Sequence, residues 1–396
     1  MRVVHIITRL IVGGAQENTL LNCADLVSDF GDDVLLIIGA ETGLEGSLLS
    51  AIEEKFPVLV LPELVRSISP YRDICAYYNL RRHLMDFKPD VVHTHSAKAG
   101  IIGRLAAWNL KVPLVVHTVH GAPFYPYQNR FVRIFYQFCE RFVARRCHAI
   151  ISVADAMTDL MTKARIAPHE KFTTIYSGIE VDPFLNSEQF RTKTRERFGI
   201  GKDDIVVGKI ARLFYLKGHE YVVAAAESIL HAVPVVKFMF VGDGILLEKF
   251  RRDVELRGIS DRFVFTGLLP PEQIPAVISA MDIVVHTSLR EGLARVLPQA
   301  LLAGKPVISY DIDGAREVVI DGVTGYLLPP KSIKQLENAI IKLATSPDLR
   351  IKFGQNGKEL CENKFDHHNM TAQIRKLYES HLNSSNVNTV DLFLNN

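Results

Sequence analysis

The feature that most constrains this chain is a short apolar run that keeps returning. Val3-Val4-His5-Ile6-Ile7-Thr8 is the first, followed by Val34–Ile38, Val58–Leu61, Val91–Thr94, Leu114–Thr118 and Ala149–Val153. A second series comprises Ile205–Ile210, Val235–Val241, Phe263–Thr266, Ile283–His286 and Pro306–Tyr310. Near-continuous apolar strands belong in parallel sheets that are covered on both faces. The segments between them, such as Tyr77–Phe87 and Ala99–Leu110, have the length of covering helices. The expected fold is α/β, with two doubly wound, Rossmann-like domains facing a cleft. The polar, charged run from Asn186 to Arg197 marks the boundary. The expected domains are 1–185 and 186–366. A C-terminal helix is expected over 367–385, and a polar tail over 386–396 is expected to be frayed.

Composition narrows the function classes. The chain has 396 residues, 48% hydrophobic and 23% charged, which suits two globular cores. A net charge of +2 gives no case for nucleic acid. Its five cysteines are dispersed, with no Cys-x-x-Cys pair, which suits a reducing cytosol. His5, Thr8 and Arg9 interrupt the first apolar run, so it reads as a strand rather than a signal peptide. No run approaches the roughly 20 residues that span a bilayer.

Ligands of open α/β sheets bind beyond the carboxyl ends of the strands, so those ends carry the functional reading. After Ile283–His286 come Arg290, Glu291 and Gly292, then a helix expected from about Ala294 to Ala303 that carries Pro298 and Gln299. A helix start suits a phosphate, and Glu291 suits the hydroxyls of an attached sugar. After Ile205–Ile210 come Arg212 and Lys217-Gly218, two cations placed for a diphosphate. Gly242 and Gly267 lie in glycine turns at strand ends. After the first strand come Gly13-Gly14, where a ligand can approach the backbone, and then Glu17 and Asn18. His93, His95 and Lys98 follow one strand, and His117 and His120 end another. None of these histidines has the spacing of a zinc site, and Asp311-Ile312-Asp313 reads as a strand end, so no metal is expected.

The run from His286 to Tyr326 resembles the C-terminal signature of glycosyltransferase family 4, in which two acids flank seven residues. The resemblance implies the GT-B fold, with the C-terminal helix over 367–385 crossing back to the first domain, and a retaining glycosyltransferase that uses a nucleotide-sugar, UDP placed ahead of GDP, with no metal and no cofactor. It implies catalytic roles for His120, Arg212, Lys217 and Glu291. Donor contacts fall to Gly13, Gly14, Gly242, Gly292, Leu293, Ala294 and Gln299, and the acceptor side to Glu17, His95 and Lys98. Gln299 departs from the family pattern, being an amide where the second acid stands. Glu317 is read as structural. The implied acceptor is a glycan or a lipid-linked glycan in cell-surface polysaccharide synthesis. A non-hydrolysing nucleotide-sugar epimerase and a non-catalytic nucleotide-sugar-binding protein are the alternatives.

Residues 124–147 raise a separate question. Phe131, Ile134, Phe135, Phe138 and Phe142 fall on one helical stripe, and Arg130, Arg133, Arg141, Arg145 and Arg146 outnumber the single acid Glu140. The phenylalanines are expected to pack on the sheet. The arginines offer a peripheral contact with an anionic membrane, at the inner face for a cytoplasmic protein.

Overall fold

A computed structural model describes residues 1–40, 48 and 55–394, with the side chains of 385–394 left out. The chain forms two compact units, Met1–Gly178 with His367–Asn396, and Ile179–Asp366.

Unit 1 carries β1 (Arg2–Ile7), β2 (Asp33–Gly39), β3 (Val58–Leu61), β4 (Val91–His95), β5 (Leu114–Val119), β6 (Ala149–Ser152) and β7 (Phe172–Thr174). Its helices are α1 (Gly14–Ser28), α2 (Pro70–Phe87), α3 (Ala97–Asn109), α4 (Arg130–Ala144) and α5 (Asp155–Lys163). The sheet order is β3-β2-β1-β4-β5-β6-β7, and every pair is parallel. In unit 2, β8 (Ile205–Ile210), β9 (Val236–Val241), β10 (Phe263–Phe265), β11 (Ile283–His286), β12 (Val307–Tyr310) and β13 (Gly325–Leu328) pair in parallel in the order β10-β9-β8-β11-β12-β13. Its helices are α6 (Asp182–Leu185), α7 (Arg191–Arg197), α8 (His219–Ala232), α9 (Leu247–Leu256), α10 (Ile274–Ala280), α11 (Val296–Leu302), α12 (Ile333–Ala344) and α13 (Pro347–Cys361). The short strands β7 and β13 were not legible in the apolar pattern, because each contributes few buried residues. The switch in strand order falls between β1 and β4 in unit 1, and between β8 and β11 in unit 2.

The division between the units falls after Gly178 rather than after residue 185. The Ile179 amide donates to the Phe365 carbonyl (2.8 Å), so the chain enters unit 2 beside the place where it leaves. The chain then returns as α14 (His367–Leu394), whose Met370, Ile374, Leu377 and Tyr378 join the buried core of unit 1. Arg375 pairs with buried Asp32 (2.8 Å), and His367 with Asp25 (2.8 Å), both anchored on the α1 side of the sheet. The backbone stays helical to Leu394, although its polarity predicted a frayed tail. That stretch contains no proline or glycine to stop it. Asn395 and Asn396 lie outside the described residues.

The α4 stripe is where the structure corrects the sequence reading. Phe131 is 80% exposed and Phe138 64%, while Ile134, Phe135 and Phe142 are about half exposed. The helix turns its other face inward, through Glu140, Val143 and Ala144. Glu140 accepts from the Arg104 guanidinium of α3 at 2.9 Å, with both side chains buried. A buried ion pair therefore decides which face of α4 looks in, against the hydrophobic pattern. Removing one partner of such a pair costs about 3–5 kcal/mol, whereas an apolar replacement of both is near neutral. Urea unfolding should show Glu140→Ala strongly destabilised and the Arg104→Met/Glu140→Leu double variant close to the parent. A double variant as weak as the single one would exclude this pair as the anchor.

Candidate active site

In unit 2 the charged residues gather beyond the carboxyl ends of β8 and β11, at the switch point. Arg212 stands exposed just after β8, its guanidinium over the Phe214 ring (5.3 Å). Lys217 ends the same loop and Glu291 lies in the loop after β11. Two backbone ties hold these loops together. The Leu289 amide donates to the Leu216 carbonyl (2.8 Å), and the Thr287 hydroxyl donates to the Gly218 carbonyl (2.7 Å). Gly218 has φ of +75°, and a Cβ there would sit 1.9 Å from the Thr287 carbonyl oxygen. Only glycine permits this approach.

The result is an ion pair. Lys217 Nζ lies 2.5 Å from Glu291 Oε1, with each side chain 22% exposed. Burial works to raise the Glu291 carboxyl, but Lys217 outweighs it and holds the group far below the usual carboxylate range. Burial also lowers His286, which therefore stands neutral, its Nε2 3.5 Å from Glu291 Oε1. The Glu291 amide donates to Asp313 Oδ2 (2.7 Å), which fixes the loop. Asp311 is held by Arg316 (2.6 and 3.0 Å), so both acids of the Asp311-Ile312-Asp313 run have partners within the fold. Gly292, Leu293 and Ala294 are not helical, since α11 begins at Val296, later than expected. Gln299 sits at the middle of that short helix, half-buried. Gly242 bridges Gly267 through its amide (3.0 Å) at the ends of β9 and β10.

Lys209 was missed. It is buried in β8, its Nζ has no hydrogen-bond partner among the described residues, and burial with nearby Lys217 lowers it to about 7. The available signal was a lone cation inside an apolar strand.

In unit 1 the loop after β1 places Gly13 and Gly14 at the start of α1, where the Gly13 carbonyl accepts from the Gln16 and Glu17 amides (3.1 and 3.0 Å). Glu17 lies in the first turn. Lys98, assigned to the acceptor side, spends its charge on Asp73 (2.5 Å) and the Ser67 carbonyl. His95 is 1% exposed, and its two ring nitrogens face His5 and His120, each at 3.0 Å. It therefore stands behind His120 rather than on a surface that an acceptor would touch. His120 follows β5 and is half-buried. His5, His93 and His95 form a compact group of possible metal-ligand nitrogens. The group is buried, and both His93 nitrogens are already engaged by Tyr378 and Thr118.

Two sequence profiles match the chain, Glycosyltransferase Family 4 over residues 12–183 and Glycosyl transferases group 1 over residues 190–360. Among similar proteins is the UDP-Gal:alpha-D-GlcNAc-diphosphoundecaprenol alpha-1,3-galactosyltransferase of Escherichia coli, 26% identical over 381 residues and 96% of each chain. Alpha-D-kanosaminyltransferase of Streptomyces kanamyceticus is 27% identical over 72% of this chain and 76% of its own. Among solved structures, Anabaena HepE in complex with UDP-glucose superposes with a TM-score of 0.81 at 23% identity, covering 96% of this chain and all of that one. At that identity the likeness shows the fold, which is GT-B.

The Lys217–Glu291 pair has a pH signature. A carboxyl depressed in the folded state contributes stability above its unfolded pKa, about 4.3 for glutamate, and loses it as pH falls toward the folded value. The stability gap between the parent and Lys217→Met, measured by urea unfolding, should be widest near pH 7 and shrink below about pH 4.3. A gap independent of pH would mean that the pair does not hold Glu291 ionised.

Proposed function

The chain belongs to glycosyltransferase family 4, and from that membership we propose a retaining transferase that moves a sugar from UDP to a glycan or lipid-linked acceptor in cell-surface polysaccharide synthesis. That it is a glycosyltransferase follows from the family. The Arg212, Lys217 and Glu291 constellation at the unit 2 switch point is the observation that carries the finer reading.

Arg212 and Lys217 neutralise charge as it grows on the leaving diphosphate. Two fixed cations at that place supply what a divalent ion would otherwise supply, so the reaction is proposed to need no metal. Lys217 already balances Glu291, so an incoming diphosphate competes for a cation held at 2.5 Å. Glu291, ionised at any working pH, accepts hydrogen bonds from sugar hydroxyls. Gly292, Leu293 and Ala294 offer backbone amides, and Gln299 an amide in place of the family's acid for the ribose. Gly13 and Gly14 are assigned to the donor as glycines that let a ligand approach the backbone, and Glu17 is the acceptor-side candidate. His120 is assigned to the donor sugar. The acceptor hydroxyl attacks from the leaving-group face, and the departing phosphate oxygen takes its proton. UDP is supported by the name of the Escherichia coli relative and by the HepE complexes.

Calorimetry with UDP in EDTA should show binding, and Glu291→Ala and Lys217→Ala should each lower turnover at least about tenfold, roughly 1.4 kcal/mol of barrier. Binding that requires magnesium, or near-normal rates in both variants, would overturn the site.

We also place the protein at the cytoplasmic face of an anionic membrane, through α4. No described helix is long and apolar enough to cross a bilayer. Its exposed aromatic stripe is flanked by Arg130 and Arg145, and its one acid is turned inward and paired. An in-plane amphipathic helix of this kind binds through apolar burial and attraction to anionic lipid together. Arg141 and Arg146 contribute less, since Arg141 caps the α5 carbonyls of Ala164 and Arg165 and Arg146 stacks on Phe142 (3.7 Å). A lipid-diphosphate acceptor, as named for the Escherichia coli relative, would be met there. The free thiols of all five cysteines suit that side. The protein should sediment with phosphatidylglycerol vesicles, and Phe135→Ser/Phe138→Ser should release it. Equal sedimentation of the variant, or self-association in place of lipid binding, would exclude the membrane contact.

A further inference from the structure

His120 does not stand by itself. Its Nε2 lies 3.0 Å from His95 Nδ1, and His95 Nε2 lies 3.0 Å from His5 Nδ1. The three rings come from β1, from the end of β4 and from the residue after β5, so neighbouring parallel strands stack them in a row. His5 and His95 stack at 5.2 Å between centroids, and His95 and His120 at 5.3 Å. The row ends at His5 Nε2, which is buried and has no hydrogen-bond partner among the described residues.

Each link joins two ring nitrogens, so one must carry a proton and the other a lone pair. Burial brings His5 down to about 3 and holds His95 well below its ordinary value, so each is neutral with a single N–H. Only two arrangements of protons then satisfy both links. In the inward arrangement, His120 Nε2–H donates to His95 Nδ1, and His95 Nε2–H donates to His5 Nδ1. His5 must then carry its own proton on Nε2, where a buried N–H finds no acceptor. In the outward arrangement, His5 Nδ1–H donates to His95 Nε2, and His95 Nδ1–H donates to His120 Nε2. The buried end is then a bare lone pair. A buried N–H without an acceptor is the rarer of these two defects, so the outward arrangement is the stable one.

The consequence reaches the site. With Nε2 occupied as an acceptor, His120 carries its proton on Nδ1. A second proton on Nε2 would point at the His95 N–H, so the same chain opposes an imidazolium.

We propose that the His5–His95–His120 chain sets His120 as a neutral ring that donates from Nδ1 to an oxygen of the donor sugar, with His5 and His95 as positioning residues. This rests on the assignment of His120 to that sugar. It gives His95 a role distinct from the acceptor contact that the family resemblance implied. It also explains why a histidine, rather than a hydrocarbon, occupies the apolar interior of β1.

Two measurements test it. In protein labelled with ¹⁵N-histidine, the ring-nitrogen shifts and couplings of His120 should show the proton on Nδ1. A proton on Nε2 in the parent protein would overturn the proposal whatever the variants do. The second measurement compares His95→Asn, whose amide can donate from the place of Nδ1, with His95→Leu, which cannot. His95→Leu should lose the Nδ1–H form of His120 and lower kcat at least about tenfold, with little change in KM for UDP-sugar. His95→Asn should keep the tautomer and stay within about threefold of the parent. Equal losses in both variants would reduce His95 to a space-filling role and overturn the proposal. The Nδ1–H tautomer in the parent, together with unchanged kcat in His120→Ala, would instead count against the contact between His120 and the sugar.

Discussion

A strand that is paired in parallel on both sides and covered on both faces meets water only at its ends. Most of this molecule's chemistry follows from that condition. Strands β1, β4, β8 and β11 are buried along most of their length, so a polar group that must meet a ligand has its place at or just beyond the carboxyl end. The strand order reverses beside each of these pairs, and the loops diverge there. Arg212, Lys217 and Glu291 occupy that place in unit 2; Gly13, Gly14 and the histidines occupy it in unit 1.

The two ends are built on opposite electrostatic principles. Unit 2 concentrates charge and balances it. Lys217 and Glu291 are paired, Asp313 holds the Glu291 amide, and Arg212 stands exposed beside them. These contacts hold the charged groups in fixed places before any ligand arrives. Unit 1 concentrates imidazoles and keeps them uncharged. Burial lowers His5, His93, His95 and His117 below their ordinary values. What these rings offer is therefore hydrogen-bonding direction rather than charge. His93 packs its ring against His5 and His95 (centroids 4.9 and 4.3 Å) and is hydrogen-bonded to Tyr378 of α14 (2.5 Å), so the returning C-terminal helix braces these rings as well as the core.

Helix α4 shows one interaction overruling a pattern. Its phenylalanines have the spacing of a core-facing stripe, yet the buried Arg104–Glu140 pair requires the opposite face to turn inward. Without Glu140 the buried Arg104 guanidinium would be an uncompensated charge, so the face that carries Glu140 is held inward and the aromatic stripe is left outside. The exposed stripe and the arginines beside it then make one surface, which is why the membrane reading gains from the phenylalanines what the sequence had assigned to the core.

The apolar runs, their spacing and the residues at their ends were enough to determine two parallel α/β units and to put Arg212, Lys217 and Glu291 at the carboxyl ends of two neighbouring strands. Those features are local, since burial of a strand on both faces and the chemistry of its end are written in consecutive residues. The rest depended on residues far apart in the chain. The 2.5 Å contact between Lys217 and Glu291, the row from His5 through His95 to His120, and the buried partner of Glu140 each join separate segments. The edge strands β7 and β13 gain their place from a neighbour's hydrogen bonds rather than from their own composition. Which face of α4 looks outward, and which nitrogen of His95 is left to which neighbour, are settled by pairings whose distances exist only once the sheets have formed.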